Sequence, residues 1–375
     1  MKYILFSLSA FALYAIFYFS YVNGLHALGH DAIDSGKLPG VNAPLRTHFT
    51  GVEAIDRILT LLTVFFYPTL DGQSPTLLLH SIGFSGTFGA AWTLVVLESW
   101  RKGNAGTIVA FPAIFGLAAQ LMTFAFAAPL ICGLQLACSI TASRPGADNI
   151  RIPRVVLVVL PAIFAVGFML PTQAMVLPTP DVISVDMKQI AIAIWQPWPA
   201  YVSILTTVAY YVLSPFFVDD QRASLSSSRW VYAFAFANAS LSHLVSWIVS
   251  LATVMAPGLF NDRFLDPLHP SKVFSIPLPW SGLKVDTVAD GVHVFLRWDY
   301  IIGSAGVLLW ALTLYTVAHR RILNFVSWPT LLLKVGLLTA LTGPAGAAVE
   351  LMWERDELVF RETDTTLVSR SKKSS

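Results

Sequence analysis

Five carboxylates fall inside or beside long apolar runs: Asp56, Asp71, Glu98, Asp299 and Glu350. An ionisable group at membrane depth is costly, so each needs a partner, a wet cavity or a place at an interface. A carboxyl buried among apolar side chains tends to keep its proton, because lost hydration penalises the charged form. Such a group can serve as a general acid. The same chain is rich in ring faces: Phe 25, Trp 11 and Tyr 11, 13% of all residues. Ring faces attract positive charge, by about 2 kcal/mol or more when desolvated. An acid set among ring faces, with water kept out, is what making a carbocation from an apolar polyene requires. The plainer account of the same rings is lipid-facing Phe with interfacial Trp and Tyr belts.

Each carboxylate also has a structural explanation. Asp56 can pair with Arg57 or cap a helix. Asp71-Gly72 reads as turn chemistry after Tyr67-Pro68. Glu98 and Arg101 are three apart, so they share a helix face and can pair. Asp299 is flanked by Arg297 at the entrance of an apolar run, and Glu350 stands near Glu354 and Arg355. Flanking apolar residues bury Asp56 and Glu98 most plausibly, so these two rank first as catalytic candidates and Asp71 third.

Other chemistry-bearing residues point less far. His26, His30 and Asp31 have a metal-like spacing but fall in a Gly/Pro-containing polar loop with His48, where a solvated loop is the expected state. His80 and His243 lie inside apolar runs and read as hydrogen-bonded core histidines. Cys132 and Cys138 read as two buried small apolar residues. There is no nucleophile elbow, P-loop, dinucleotide fingerprint or zinc-protease motif. No acidic run of the kind that binds magnesium and a prenyl diphosphate is present either, and Asp219-Asp220 lacks a second acidic cluster. No metal and no organic cofactor is expected.

The elements that must position these groups are membrane helices. Charged residues are only 12%, about half the share of an ordinary soluble domain. The apolar fraction is 55% and the mean hydropathy +0.65. Several runs exceed the roughly 20 residues that cross hydrocarbon, and they are continuous rather than alternating, which argues against a β-barrel. The fold class expected is all-α: a polytopic transmembrane helix bundle of seven to nine spans. Candidate spans are 3–22, 55–70, 76–100, 107–141, 155–176, 189–218, 230–255, 300–318 and 330–353. The fourth is too long for one straight span, and Pro112 and Pro129 predict kinks in it. Glycines 83, 86 and 89 predict close helix approach in the third.

The whole of 1–375 reads as a single integral-membrane domain, with 257–296 as an extramembrane loop and 354–375 as a polar C-terminal tail. A net charge of +2 gives no sign of a nucleic-acid partner. The ending Lys372-Lys373-Ser374-Ser375 fits a dilysine signal for the endoplasmic reticulum, read in the cytosol. The basic loops 142–154, 219–229 and 319–329 also predict a cytosolic face. With nine spans, those loops and the C-terminus fall on opposite sides, so the span count and the two signals conflict.

The segment FFYPTLDG at 65–72 and the SWRKGN end of the third run at 99–104 resemble the fungal membrane-bound terpene cyclases of the AscI type. That family is known from ascochlorin-like meroterpenoid and related pathways, and the resemblance is best over 50–105. It implies a metal-independent cyclisation. A protonated carboxyl opens a terminal epoxide, or protonates a terminal alkene, of an apolar prenylated substrate. Aromatic faces hold the cation until proton loss or water ends the cascade. It further implies a lipid-bilayer setting and other membrane enzymes of the same pathway as partners. The residues alone leave open a metabolite transporter, which the Gly-Pro break at 343–346 would suit, and a non-catalytic accessory protein.

Overall fold

A computed structural model describes residues 1–218 and 221–374. Its principal helices are α1 (Lys2–Asn23), α2 (Leu25–Ser35), α3 (Glu53–Phe66), α4 (Pro75–Ser99), α5 (Pro112–Met122), α6 (Phe124–Cys138), α7 (Arg154–Val176), α8 (Val185–Trp195), α9 (Trp198–Leu213), α10 (Gln221–Met255), α11 (Val288–Leu323) and α12 (Trp328–Ser374). Among the described residues there is no β-strand beyond an isolated bridge between Lys37 and Pro44. Five helical runs are long and apolar enough to cross a membrane: Lys2–Asn23, Arg154–Val176, Ser224–Met255, Val288–Leu323 and Trp328–Glu362. The protein is membrane-embedded and all-helical.

The central helix is α4. Every residue over 86–99 is buried, as a helix that is apolar all round should be. Small residues set its contact with α10. A Cβ placed on Gly86 would lie 1.8 Å from the Ser242 hydroxyl oxygen, so only glycine allows that approach. The Ser246 hydroxyl donates to the Leu79 carbonyl at 2.9 Å, closing the same seam.

Two helical hairpins enter this bundle and return to the end they left. The first is α5–α6. At its base, Asn104 donates to the Glu98 carbonyl at 2.6 Å, and Thr141 donates to the Glu98 carboxylate at 3.1 Å. At its tip, Phe124 packs on Gly303, midway along α11, where a Cβ would come within 2.2 Å of the ring. The chain breaks at Thr123 (φ 77, ψ 156), not at the two prolines. Pro112 opens α5, where its missing N–H costs nothing, and Pro129 stays inside α6. The second hairpin is α12, bent at Gly343 (φ 74, ψ 167). Lys334 on the inbound half pairs with Glu354 on the return.

One end of the molecule therefore gathers the basic segments. Arg321 donates to the Pro145 carbonyl at 2.6 Å, Arg101 to that of Ile150 at 2.7 Å, and Arg229 pairs with Glu357. The opposite end holds the Val285 N–H on the Asn23 carbonyl at 3.0 Å, and Lys188 on the Leu70 carbonyl at 2.8 Å. Segment 257–287 covers that end, with Val273 fully buried. Residues 288–296, read from sequence as loop, are the first turns of α11. Thr287 caps them by accepting from the Asp290 N–H at 3.1 Å.

Helix α3 departs from the expected second span. At 14 residues it is about 21 Å long, too short to cross a bilayer. Asp56, Thr60 and Thr63 face inward, while Ile55, Ile58 and Leu61 are exposed. Asp219 and Asp220 lie outside the described residues, as do the side chains of Lys372 and Lys373.

Candidate active site

A cavity of about 1140 Å³ runs between α2, α3, the tip of α5–α6, and the facing sides of α4, α7, α10 and α11. Its lining changes character along its length. Exposed polar side chains, among them His26, His30, His48, Glu53 and Arg57, form a rim at the end covered by 257–287. The interior is ring-lined. Phe84, Phe88 and Phe124 form one wall with centroids 4.8–6.1 Å apart. Phe66 with Trp195, and Phe65 with Phe295, close the side under α3 at 5.3 and 4.8 Å.

Two carboxylates line this cavity away from its exposed rim. Asp56 is buried on the inner face of α3 just behind the rim. It accepts from the Thr50 N–H at 2.7 Å, the Thr50 hydroxyl at 2.8 Å and the Gly51 N–H at 3.2 Å. These donors, Thr50 foremost, hold its carboxyl below the usual carboxylate range.

Asp299 lies deeper, at the tip of the first hairpin, with 5% of its surface exposed. It accepts from the Ala125 N–H at 2.6 Å. The carboxyl thus caps the N-terminus of α6, where unpaired N–H groups and the helix dipole favour an acidic group. Among the described residues it forms no ion pair. Arg297, its expected partner, is turned away. It donates to the carbonyls of His293 (3.3 Å), Lys272 (3.5 Å) and Ser275 in the covering segment. Thr123 holds a backbone conformation that costs a β-branched residue about 1–3 kcal/mol.

Glu98 does not line the cavity. It belongs to a buried charge cluster at the opposite end, where Arg101, Arg355 and Asp356 complete two positive and two negative groups. Arg101 bonds Glu98 and reaches Asp356 at 2.8 Å. Arg355 reaches Glu98 at 2.8 Å and the Thr141 carbonyl at 2.7 Å. Tyr232 donates to Asp356 at 2.7 Å, and Gln135 to Glu98 at 3.2 Å. The i,i+3 pair expected from sequence is present, but as one edge of this larger network. Asp71 also stays off the cavity. It accepts from the Gln73 N–H at 2.8 Å in its turn, and partial burial holds its carboxyl above the usual range. Glu350 sits beside Glu354 on the return half of α12 and does not line the cavity either.

The remaining candidates resolve as follows. His243 bonds the Ala340 carbonyl at 3.1 Å under the Gly343 bend, and His80 packs against His293 and Tyr300. His26 and His30 stand on α2, a helix absent from the sequence reading, with Nε2 atoms 3.2 Å apart. Among the described residues no three metal-ligating side chains converge. Cys132 is buried, but Cys138 is exposed.

Asp299, ranked below Asp56 and Glu98 from sequence, and Thr123, not singled out there, both line the cavity. The signal for the first was legible. Thr287-Val288-Ala289-Asp290 is a helix-start pattern, and starting α11 there moves Asp299 three turns inside the helix.

These features agree with a whole-chain match: the CtvD domain family covers residues 1–360. The chain belongs to the CtvD family. Its relatives include the terpene cyclase ctvD of Aspergillus terreus, 32% identical over 95% of this chain and 98% of that protein. The terpene cyclase penA of Penicillium crustosum is 31% identical over 93% and 94%. The terpene cyclase ascI of Acremonium egyptiacum is 30% identical over 84% and 80%. No solved structure matches this member of the CtvD family. The resemblance first carried by 65–72 and 99–104 thus extends along nearly the whole chain. In the CtvD-family fold the first of these stretches contributes Phe65, Phe66, Thr69 and Leu70 to the cavity, and the second contributes Arg101 and Asn104 to the charge cluster.

Proposed function

We propose that this terpene cyclase closes rings on a prenylated substrate inside the ring-lined cavity, with Asp299 as the acid. The observation that carries the reading is one carboxyl, without an ion pair, set under aromatic walls. The proton passes from Asp299 to a terminal epoxide oxygen or a terminal alkene carbon. The C–O bond breaks, or the π bond is consumed, as the next alkene attacks and a C–C bond forms. Phe84, Phe88 and Phe124 face the travelling cation. Loss of a proton at the end gives an isomer of the substrate. Asp56, held ionised near the rim, is the group placed to accept that proton. A carbocation is acidic enough that a weak base suffices. Two carboxylates in unlike surroundings thus take unlike parts. Glu98 and Asp71 keep structural parts in this reading.

The protein is multi-pass in this proposal. Helices α1, α4, α7, α8–α9, α10 and α11 cross, while α5–α6 and α12 are re-entrant. Six crossings and two hairpins bring both termini and the basic loops to one face, which removes the conflict that nine spans create. The positive-inside rule puts that face in the cytosol. Other membrane enzymes of the same pathway would deliver the apolar substrate there.

The test is turnover in yeast microsomes of an arene bearing an epoxidised farnesyl or geranylgeranyl chain. The expected product has unchanged mass, new rings and no epoxide by mass spectrometry and NMR. Absence of turnover across several chain lengths overturns the epoxide reading.

A further inference from the structure

The polar side chains along the cavity differ in what they have left to offer a ligand. Thr60, Ser81, Thr172 and Ser242 each donate to a carbonyl one turn back in their own helix, at 2.7–2.9 Å, and so use up the hydroxyl proton. Asn238 is different. It lines the cavity midway along α10, where Ser242 takes its backbone carbonyl. Among the described residues its side-chain amide has no hydrogen-bond partner. Two other helices fix its place. A Cβ built on Gly89 of α4 would lie 2.9 Å from the Asn238 amide nitrogen and 2.8 Å from the Phe168 ring of α7, so glycine leaves the room that both occupy. An amide left unbonded inside an apolar bundle is costly. On a cavity wall, that cost is relieved by a ligand oxygen.

Asp299 reaches the cavity at nearly the same depth. Its bond to the Ala125 N–H sets it beside Phe124, whose ring lies 6.0 Å from that of Phe84 and 4.8 Å from that of Phe88. Gly86 and Gly89 bring Asn238 against the same stretch of α4. The acid enters from α11 and the amide from α10, both at the level of residues 84–89. Resting on the reading of this cavity as the cyclisation site and of Asp299 as its acid, we infer that Asn238 recognises the reacting end of the substrate, by donating a hydrogen bond to the oxygen that Asp299 protonates. An epoxide oxygen has two lone pairs. One takes the proton and the other accepts from the Asn238 N–H. As the C–O bond breaks, its electron pair stays on the oxygen, which remains on the chain as a hydroxyl and keeps the amide bond. A chain that ends in a bare alkene offers no lone pair and leaves the amide unpaired, so Asn238 determines specificity for an oxygen at that end.

The experiment measures binding of two unreactive probes to the full chain in detergent, by the shift in melting temperature. One is an arene bearing a saturated farnesyl chain that ends in a methyl ether; the other carries the same chain as plain hydrocarbon. The parent should bind the ether about tenfold more tightly, the scale of one hydrogen bond. Asn238→Leu keeps the size and removes the amide. Its preference for the ether should fall to about twofold, while it binds the hydrocarbon at least as well as the parent, because no unpaired amide is covered. A merely structural role for Asn238 would weaken both probes alike. In microsomes, kcat/KM of Asn238→Leu for the epoxidised prenyl arene should fall about tenfold. Asn238→Ala carries the same test if Asn238→Leu fails to accumulate. A parent that binds both probes equally, or an Asn238→Leu protein that keeps the parental preference or loses both probes alike, overturns the inference. Asp299→Asn separates the two levels. An active Asp299→Asn enzyme overturns the acid assignment while the ether preference still reports on Asn238. A parent that binds neither probe overturns the reading of the cavity itself.

Discussion

Two buried carboxylates of this protein live in opposite surroundings. Glu98 is bonded to two arginines and shares them with Asp356, so the group is neutral as a whole. Asp299 accepts from a backbone N–H, that of Ala125, and it faces a cavity walled by rings. The difference separates structure from chemistry. A carboxylate locked between two guanidinium groups has no proton to give and no substrate to give it to. A carboxyl on a helix end, open to an apolar cavity, can hold a proton and then tolerate its loss. Burial alone does not mark an acid; the charge of the neighbours decides.

The largest test of that contrast is Asp299→Asn. It should lower turnover by about 10³-fold or more, since general acid catalysis is itself worth up to about 10⁴-fold, with normal protein levels in the membrane. Glu98→Gln is its counterpart and should leave turnover per folded molecule near the parental value. A folded, inactive Glu98→Gln enzyme would reverse the comparison.

Arg355→Met strikes the other region. It leaves Glu98 and Asp356 with one arginine between them, and breaking a buried pair costs about 3–5 kcal/mol. A lower melting temperature in detergent and less folded protein are expected, with the product pattern unchanged. Phe88→Leu sharpens the account of the cavity. Losing one ring face removes about 2 kcal/mol from a desolvated cation, a roughly 30-fold fall in rate. Partly cyclised products should appear by mass spectrometry. The smallest effect belongs to Asp56→Asn. Turnover should fall only about fivefold, because general-base assistance is replaceable by water at a rim. The informative readout is product mass, with a fraction now one water heavier. An unchanged product mixture would remove Asp56 from the chemistry.

Much of the fold can be read from local pattern. The apolar runs at α1, α7, α10 and α11 are long enough to announce themselves, and glycines 83 and 86 mark a close helix contact that the structure contains. The returns of the two hairpins are not local. Run 107–141 is continuous in hydropathy, and its prolines pointed to breaks, whereas Pro112 opens α5 and Pro129 stays inside α6. The true break at Thr123 is stabilised by contacts from α11, 174 residues away from Ala125 in sequence. Gly343 is a better local sign, since it adopts φ 74. The site was legible in kind but not in place. Asp56 lines the cavity, Glu98 lies in a charge cluster away from it, and Asp299, ranked lower for its neighbouring arginine, lines the cavity while that arginine turns elsewhere.

Composition by itself determined that this chain lives in a membrane, that it is rich in ring faces and that only a few carboxylates are available as acids. Those follow from residue types and short-range periodicity, which each stretch carries alone. Which carboxyl stands free was decided by the tertiary structure. Glu98 and Asp299 look alike along the chain, each next to an arginine at the edge of an apolar run. Long-range packing brought a second arginine, Arg355, to Glu98 and drew Arg297 away from Asp299. The energy of a buried charge depends on everything within a few ångströms, and sequence neighbours are a small part of that.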